Sequence, residues 1–398
     1  METPRQTGYL SSKKSKKRCG AAAKSRWRMG KREVYMNRMP KRLLPLLSAA
    51  IMLLCSGSTG KCRAADVDAQ HPRGGASTVT KPSTAETAAN YEWVCVTEEA
   101  AFAARDGAGA LVFAEKMWLL GGWNPRDKLH FPRICNSEVW SSTDGVRWIL
   151  EMLQAPWEGR HTAGYVVHEG KMWVVGGDAN QGHYQTDVWN SGDGVNWELV
   201  NERVPWAPRV LHYTVAFAGK IWIMGGQTVP QFAQAAERFY TDVWNSPDGV
   251  SWTQVTEEVP WAQRGMVGGG VVWKGRMWVM GGGTYDTPQV PTRKFYNDVW
   301  SSADGVNWEQ HVEAAPWEPR QYHDVAVFDD KLWVMEGCNR QSGNRNDVWY
   351  SGDGVNWHEV SDTPWAPRHA ASVFVYDDAL WMVAGNNMTP DVWKLVRK

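Results

Sequence analysis

Pro156-Trp157-Glu158-Gly159-Arg160, followed by Lys171-Met172-Trp173-Val174-Val175-Gly176-Gly177, Asp187-Val188-Trp189 and Ser191-Gly192-Asp193-Gly194-Val195-Asn196-Trp197, decides the fold. It reads as four short strands. Strand a is Gly164-Tyr165-Val166-Val167, and a Glu169-Gly170 turn leads to strand b at Met172–Val175. A variable loop leads to strand c at Asp187–Asn190. Asp193-Gly194 then turns the chain into strand d. Asp-Gly between apolar runs predicts a two-residue hairpin with positive φ. That register places Trp148 opposite Ser141 in the preceding copy, with Trp140 and Trp148 on opposite faces.

The string recurs. Its leading arginines are Arg105, Arg160, Arg209, Arg264, Arg320 and Arg368, with spacings of 55, 49, 55, 56 and 48. A Trp follows each by thirteen or fourteen residues: Trp118, Trp173, Trp222, Trp278, Trp333 and Trp381. A second series is Trp140, Trp189, Trp244, Trp300, Trp349 and Trp393, and a third is Trp148, Trp197, Trp252, Trp308 and Trp357. Four-stranded units that are apolar on both faces must pack between copies of themselves, which predicts the blades of a propeller. The sixth copy stops at Asp391-Val392-Trp393, after strand c. Its missing strand d stands at the other end of the repeat region, as Tyr91-Glu92-Trp93-Val94-Cys95-Val96. The expectation is an all-β, six-bladed β-propeller over residues 90–398, its last blade closed by the N-terminal strand.

Ahead of the repeats the chemistry changes. Residues 1–65 hold 16 Lys and Arg against 2 Asp and Glu, leaving 27 basic and 41 acidic residues beyond them. Lys41-Arg42, the apolar run Leu43–Cys55 and the ending Cys62-Arg63-Ala64-Ala65 form the three regions of a signal peptide. Met36 or Met39 would give its basic head an ordinary length. Residues 1–65 are therefore predicted to direct secretion or periplasmic export, and residues 66–89, small and polar, to form a disordered linker. The apolar run is short for a bilayer, so the mature chain is expected to lack a membrane span and to be a monomer. An acidic body argues against nucleic acid. Cys95, Cys135 and Cys338 cannot form a disulfide framework.

The paired glycines Gly121-Gly122, Gly176-Gly177, Gly225-Gly226 and Gly281-Gly282, the Arg before strand a and the period near fifty resemble the kelch repeat. The diad fails at Glu336-Gly337 and Ala384-Gly385. The turn Ser-x-Asp-Gly-Val-x-Trp is similar to the Asp-box of sialidase-type propellers, one residue shorter, and implies no sialidase activity.

Two functions are expected. One is a binding module that recognises a carbohydrate, peptide or protein ligand on the face carrying the d–a links and b–c loops, with Trp123 as an off-register stacking candidate. In kelch adaptors, arginines at similar positions line the central mouth. Arg105, Arg160, Arg209, Arg264, Arg320 and Arg368 are accordingly ligand-binding candidates. Alternatively they pair with Glu138, Asp187, Asp242, Asp298, Asp347 and Asp391, the acids ahead of each strand-c Val-Trp. The other function is an epimerase or mutarotase for an anionic sugar. Glu336 breaks the diglycine rule, with His323, Asp324, Arg320 and Arg340 near it in the repeat plan. This is similar in character to the kelch-type N-acetylneuraminate mutarotases, and implies Glu336 and His323 as acid–base groups and Arg340 as an anion anchor. No cofactor or metal is expected. His212 and His323 lack a third ligand, and the copper set of galactose oxidase, another kelch protein, has no counterpart.

Overall fold

The computed structural model describes residues 90–398 except 127–133, 179–183, 229–237, 266–269, 285–292 and 340. The predicted signal peptide 1–65, the linker 66–89 and Arg340 lie outside the described residues.

The chain forms six four-stranded antiparallel sheets arranged as a six-bladed β-propeller. Blade 1 comprises Gly109–Phe113, Lys116–Leu120, Val139–Ser142 and Ile149–Met152, as strands a to d from axis to rim. Blades 2 to 5 repeat the plan, with strand a at Gly164–His168, Tyr213–Phe217, Val271–Trp273 and Asp324–Phe328. Blade 6 takes Ser372–Tyr376, Ala379–Val383 and Val392–Arg397 from the C-terminal end and Tyr91–Thr97 from the N-terminal one. Tyr91 pairs with Arg397 and Cys95 with Trp393, so the ring closes by joining the two ends of the repeat region. Among the described residues no helix is long and apolar enough to cross a membrane.

Six apolar clusters fill the six seams between blades. In the seam of blades 1 and 2, Trp118 and Leu120 of strand b meet Met172, Val174, Trp189 and Trp197. Strand-b tryptophans thus face the following blade, and strand-c and strand-d tryptophans face the preceding one. Each strand-b indole also donates to a carbonyl five residues back, across the a–b hairpin, as Trp118 does to Phe113 at 2.9 Å.

The c–d turn departs from expectation. Ser191 pairs with Trp197, and in blade 1 Ser141 faces Ile149 rather than Trp148. The connection is five residues long, not two, and in it Gly194 alone has positive φ. Side chains replace the tight hairpin. Ser191 Oγ accepts from Gly194 N at 2.9 Å, and Asp193 Oδ1 accepts from Val195 N and Asn196 N at 2.9 and 2.7 Å. The added residues rotate strand d, and Trp140 and Trp148 share one face and one seam.

Candidate functional site

Six copies of one polar clasp stand at the starts of the inner strands. Arg160 Nε donates to Glu158 O at 2.9 Å, and Nη1 donates to Gly176 O at 2.9 Å and to Asp187 Oδ1 at 2.7 Å. Nη2 reaches Asp187 Oδ2 at 3.1 Å, and the same oxygen accepts from Trp189 Nε1 at 2.7 Å. The other five arginines bind Glu138, Asp242, Asp298, Asp347 and Asp391 in turn. All six guanidinium residues are at most 1% exposed. Tyr240 lies over Arg209 at 3.8 Å and Tyr296 over Arg264 at 4.1 Å. Burial alone would raise the acids. The bonds and charge of the paired arginine outweigh it, holding Asp187, Asp242 and Asp391 below the usual carboxylate range and Asp347 at about 2.

The diglycine closes the seam between blades. Its second residue donates its N–H to the arginine carbonyl of the next blade: Gly122 to Arg160, Gly282 to Arg320, Gly337 to Arg368 and Gly385 to Arg105. That residue has φ between +87° and +119° in all six blades, where a side chain is strained. The first position needs only the left-handed helical region, which Glu336 and Ala384 reach at φ of 52° and 55°. This is why the repeat tolerates exchange at the first position and keeps glycine at the second.

Glu336 is fully buried. In blade 4 a side chain at this position would meet His323 Cε1 at 3.0 Å. Blade 6 offers Ala371 where blade 5 has His323, leaving space for the longer residue. Glu336 Oε1 accepts from Ala371 N at 3.3 Å. Its Oε2, like Oδ2 of the adjacent Asp324, has no donor among the described residues. Two buried carboxyl groups in contact need a shared proton. Burial, the Asp324 charge and its hydrogen bond push Glu336 well above the carboxylate range, and burial pushes Asp324 up to about 7. Asp324 had stood in the sequence only as a neighbour of Glu336. Its role as the other half of the pair follows from the inward turn of strand a, which spacing did not reveal.

His323 is also fully buried. Its Nε2 donates to Met280 O at 2.8 Å, and burial lowers it to about 3, so it is neutral near pH 7. Trp123 is 5% exposed, and its backbone bridges Asp106 and Cys135. Above the inner strands, Tyr184, Val210, Leu211, Tyr322, Cys338 and Ala370 form a separate apolar cluster. They come from blades 2, 3, 5 and 6, which can meet only at the axis, so apolar side chains occupy the mouth. Below lies an axial cavity of about 210 Å³, with Asp324 in its wall. Among the described residues no group of three or more His, Cys, Asp or Glu is placed to hold a metal ion.

On the loop side of blades 3 and 4 two open clefts adjoin. One, of about 230 Å³, is lined by Phe239, Ala262, Gln263, Thr284, Lys294 and Tyr296. The other, of about 540 Å³, takes in Arg238–Asp242, Gln254, Glu257, Glu258 and Gln263. Phe239 and Gln263 belong to both. Ala262, Gln263 and Asp242 belong to the repeated string, whereas Phe239, Thr284, Lys294 and Tyr296 come from the variable stretches between strands b and c, where the repeat gives no signal. The sequence matches no known family model and no curated protein.

Proposed function

We propose that the chain is a secreted kelch-type binding module that recognises a carbohydrate, peptide or protein ligand on its loop face. The adjoining clefts at Phe239 carry this proposal. They combine an aromatic side chain, half-buried Tyr296 and exposed Arg238, Gln263 and Lys294 in an open groove. The lining is mainly polar, and aromatic faces set among polar side chains are what sugar rings and peptide side chains occupy. The repeat arginines support recognition by the loops, since each already has a carboxylate and a carbonyl as partners. Burial of Glu336 and His323, with no surface open to a substrate, favours binding over catalysis.

A mutarotase or epimerase for an anionic sugar is the second proposal. It draws on Asp324, whose raised pKa at the wall of a cavity suits proton transfer near neutrality. Glycan and peptide arrays probed with wild type, Phe239→Ala and Glu336→Gln, together with a sugar-acid mutarotation assay, separate the two. The binding module requires a bound glycan or peptide that Phe239→Ala loses and Glu336→Gln keeps. Mutarotation by wild type that disappears in Glu336→Gln would establish the enzyme instead.

A further inference from the structure

The axial cavity is independent of the loop-face clefts and has its own chemistry. Its wall is made of inner-strand residues and the residues just ahead of them, many of them Gly or Ala, which leave room at the axis. Four hydroxyl residues from blades 2, 3 and 6 line it: Thr162, Tyr165, Thr214 and Ser372. Asp324, Thr214 and Ser372 are each more than nine-tenths buried. Ser372 Oγ donates to Ala108 O at 3.2 Å, whereas Thr214 Oγ1 has no partner among the described residues.

We propose that this cavity holds a small monovalent cation, the chemistry shared by an alkali ion and a primary ammonium group, with the Asp324 carboxylate as its counter-charge. Among the described lining residues Asp324 is the one carboxylate, and no Lys or Arg is present. The nearby guanidiniums of Arg320 and Arg368 are held by Asp347 and Asp391 and do not neutralise it. His212, the remaining titratable group that could carry positive charge in the wall, is kept neutral by burial at about 3. An anion would therefore meet a carboxylate with nothing to offset it. A divalent ion favours several carboxylate ligands, where this wall offers one. A monovalent cation needs one charge and a shell of neutral oxygens, which the hydroxyl groups supply. The cavity has many times the roughly 10–15 Å³ that a water centre needs, so a partly hydrated ion or a short amine fits.

Thermal melts and titration calorimetry of the full chain at constant ionic strength and pH 8, above the value of about 7 at which Asp324 ionises, test this. The probes are potassium, ammonium and ethylammonium chlorides, with tetramethylammonium chloride and glycerol as controls. A saturable rise in Tm with at least one small cation, and none with either control, is expected. The potassium arm against the two ammonium arms identifies the source. Asp324→Asn should abolish the effect. Thr214→Val, an isosteric change that retains the carboxylate, should weaken binding at least about tenfold with unchanged tryptophan fluorescence, which keeps the test open if Asp324→Asn does not fold. The proposal fails if none of the three small cations gives a saturable shift, if tetramethylammonium or glycerol matches them, or if both variants bind as wild type does.

Discussion

The clasp around Arg160 shows how a single charged residue serves the blade. It ties strand a to the end of strand b through Gly176 O and to strand c through Asp187, without presenting a charge to solvent. Arg160→Ala would leave Asp187 largely buried and unpaired. Loss of about 3–5 kcal/mol is expected in denaturant melts, with part of it recovered in the double variant carrying Asp187→Asn. An unchanged midpoint for Arg160→Ala would show that the clasp does not hold the blade. The Asp324–Glu336 pair has the opposite sign. Both folded pKa values lie above the unfolded ones, so the pair's contribution is complete below about pH 4 and is lost as pH rises through about 7, where Asp324 ionises. In Glu336→Gln the amide can donate to the Asp324 carboxylate and no proton need be shared. Wild type should therefore lose Tm relative to Glu336→Gln between pH 5 and pH 8, and parallel curves would contradict the shared proton. The arginines and their acids were legible as matched series in the sequence, though spacing alone left open whether they pair or face a ligand. Glu336 was legible as a break in the repeat, but its partner required the sheet.

At the scale of the element, the c–d turn was visible as a string and misread as a hairpin. Asp-Gly has the same local signal in a two-residue turn and in this five-residue one. The difference lies in Ser191 and Asp193, whose oxygens accept backbone N–H groups that a tighter turn would pair across strands. The turn also reaches the neighbouring blade: a Cβ at Gly194 would stand 2.1 Å from Trp118 Cζ3, at a φ of 79°. Gly194→Ala should cost roughly 2–4 kcal/mol by combining overpacking with a left-handed backbone. Gly192, two residues earlier, has open space and no positive φ. Gly192→Ala should change stability by less than about 0.5 kcal/mol. Equal melting temperatures for the two variants would remove the turn from the seam. The b–c loops are the reverse case. They carry no repeat, so nothing in their spacing announced the clefts at Phe239.

For the whole molecule, closure depends on a strand that comes from the far end of the repeat region. Tyr91–Thr97 supplies the rim of blade 6, pairing along Val392–Arg397. Tyr91 packs against Trp333 with ring centroids 5.1 Å apart, and Trp93 against Trp365 at 5.6 Å. Asp329 of blade 5 accepts from Tyr91 OH at 2.5 Å and binds Arg397 and Lys331. The six-fold count and this exchange were readable because the sixth copy lacks a strand d, and the N-terminal segment has its length and its Trp and Val at the same places, Trp93 and Val96 for Trp197 and Val200. Deleting residues 90–97 would expose the edge of strand c and unpack two aromatic rings, each worth about 3–5 kcal/mol when truncated in a core. That loss rivals the whole stability of an ordinary domain. The deletion should be insoluble or melt far below wild type, and adding the 90–97 peptide in trans should restore part of the Tm by strand addition. A deletion variant that melts with the intact chain would mean that the ring is held by its other five seams and that the terminal strand is dispensable.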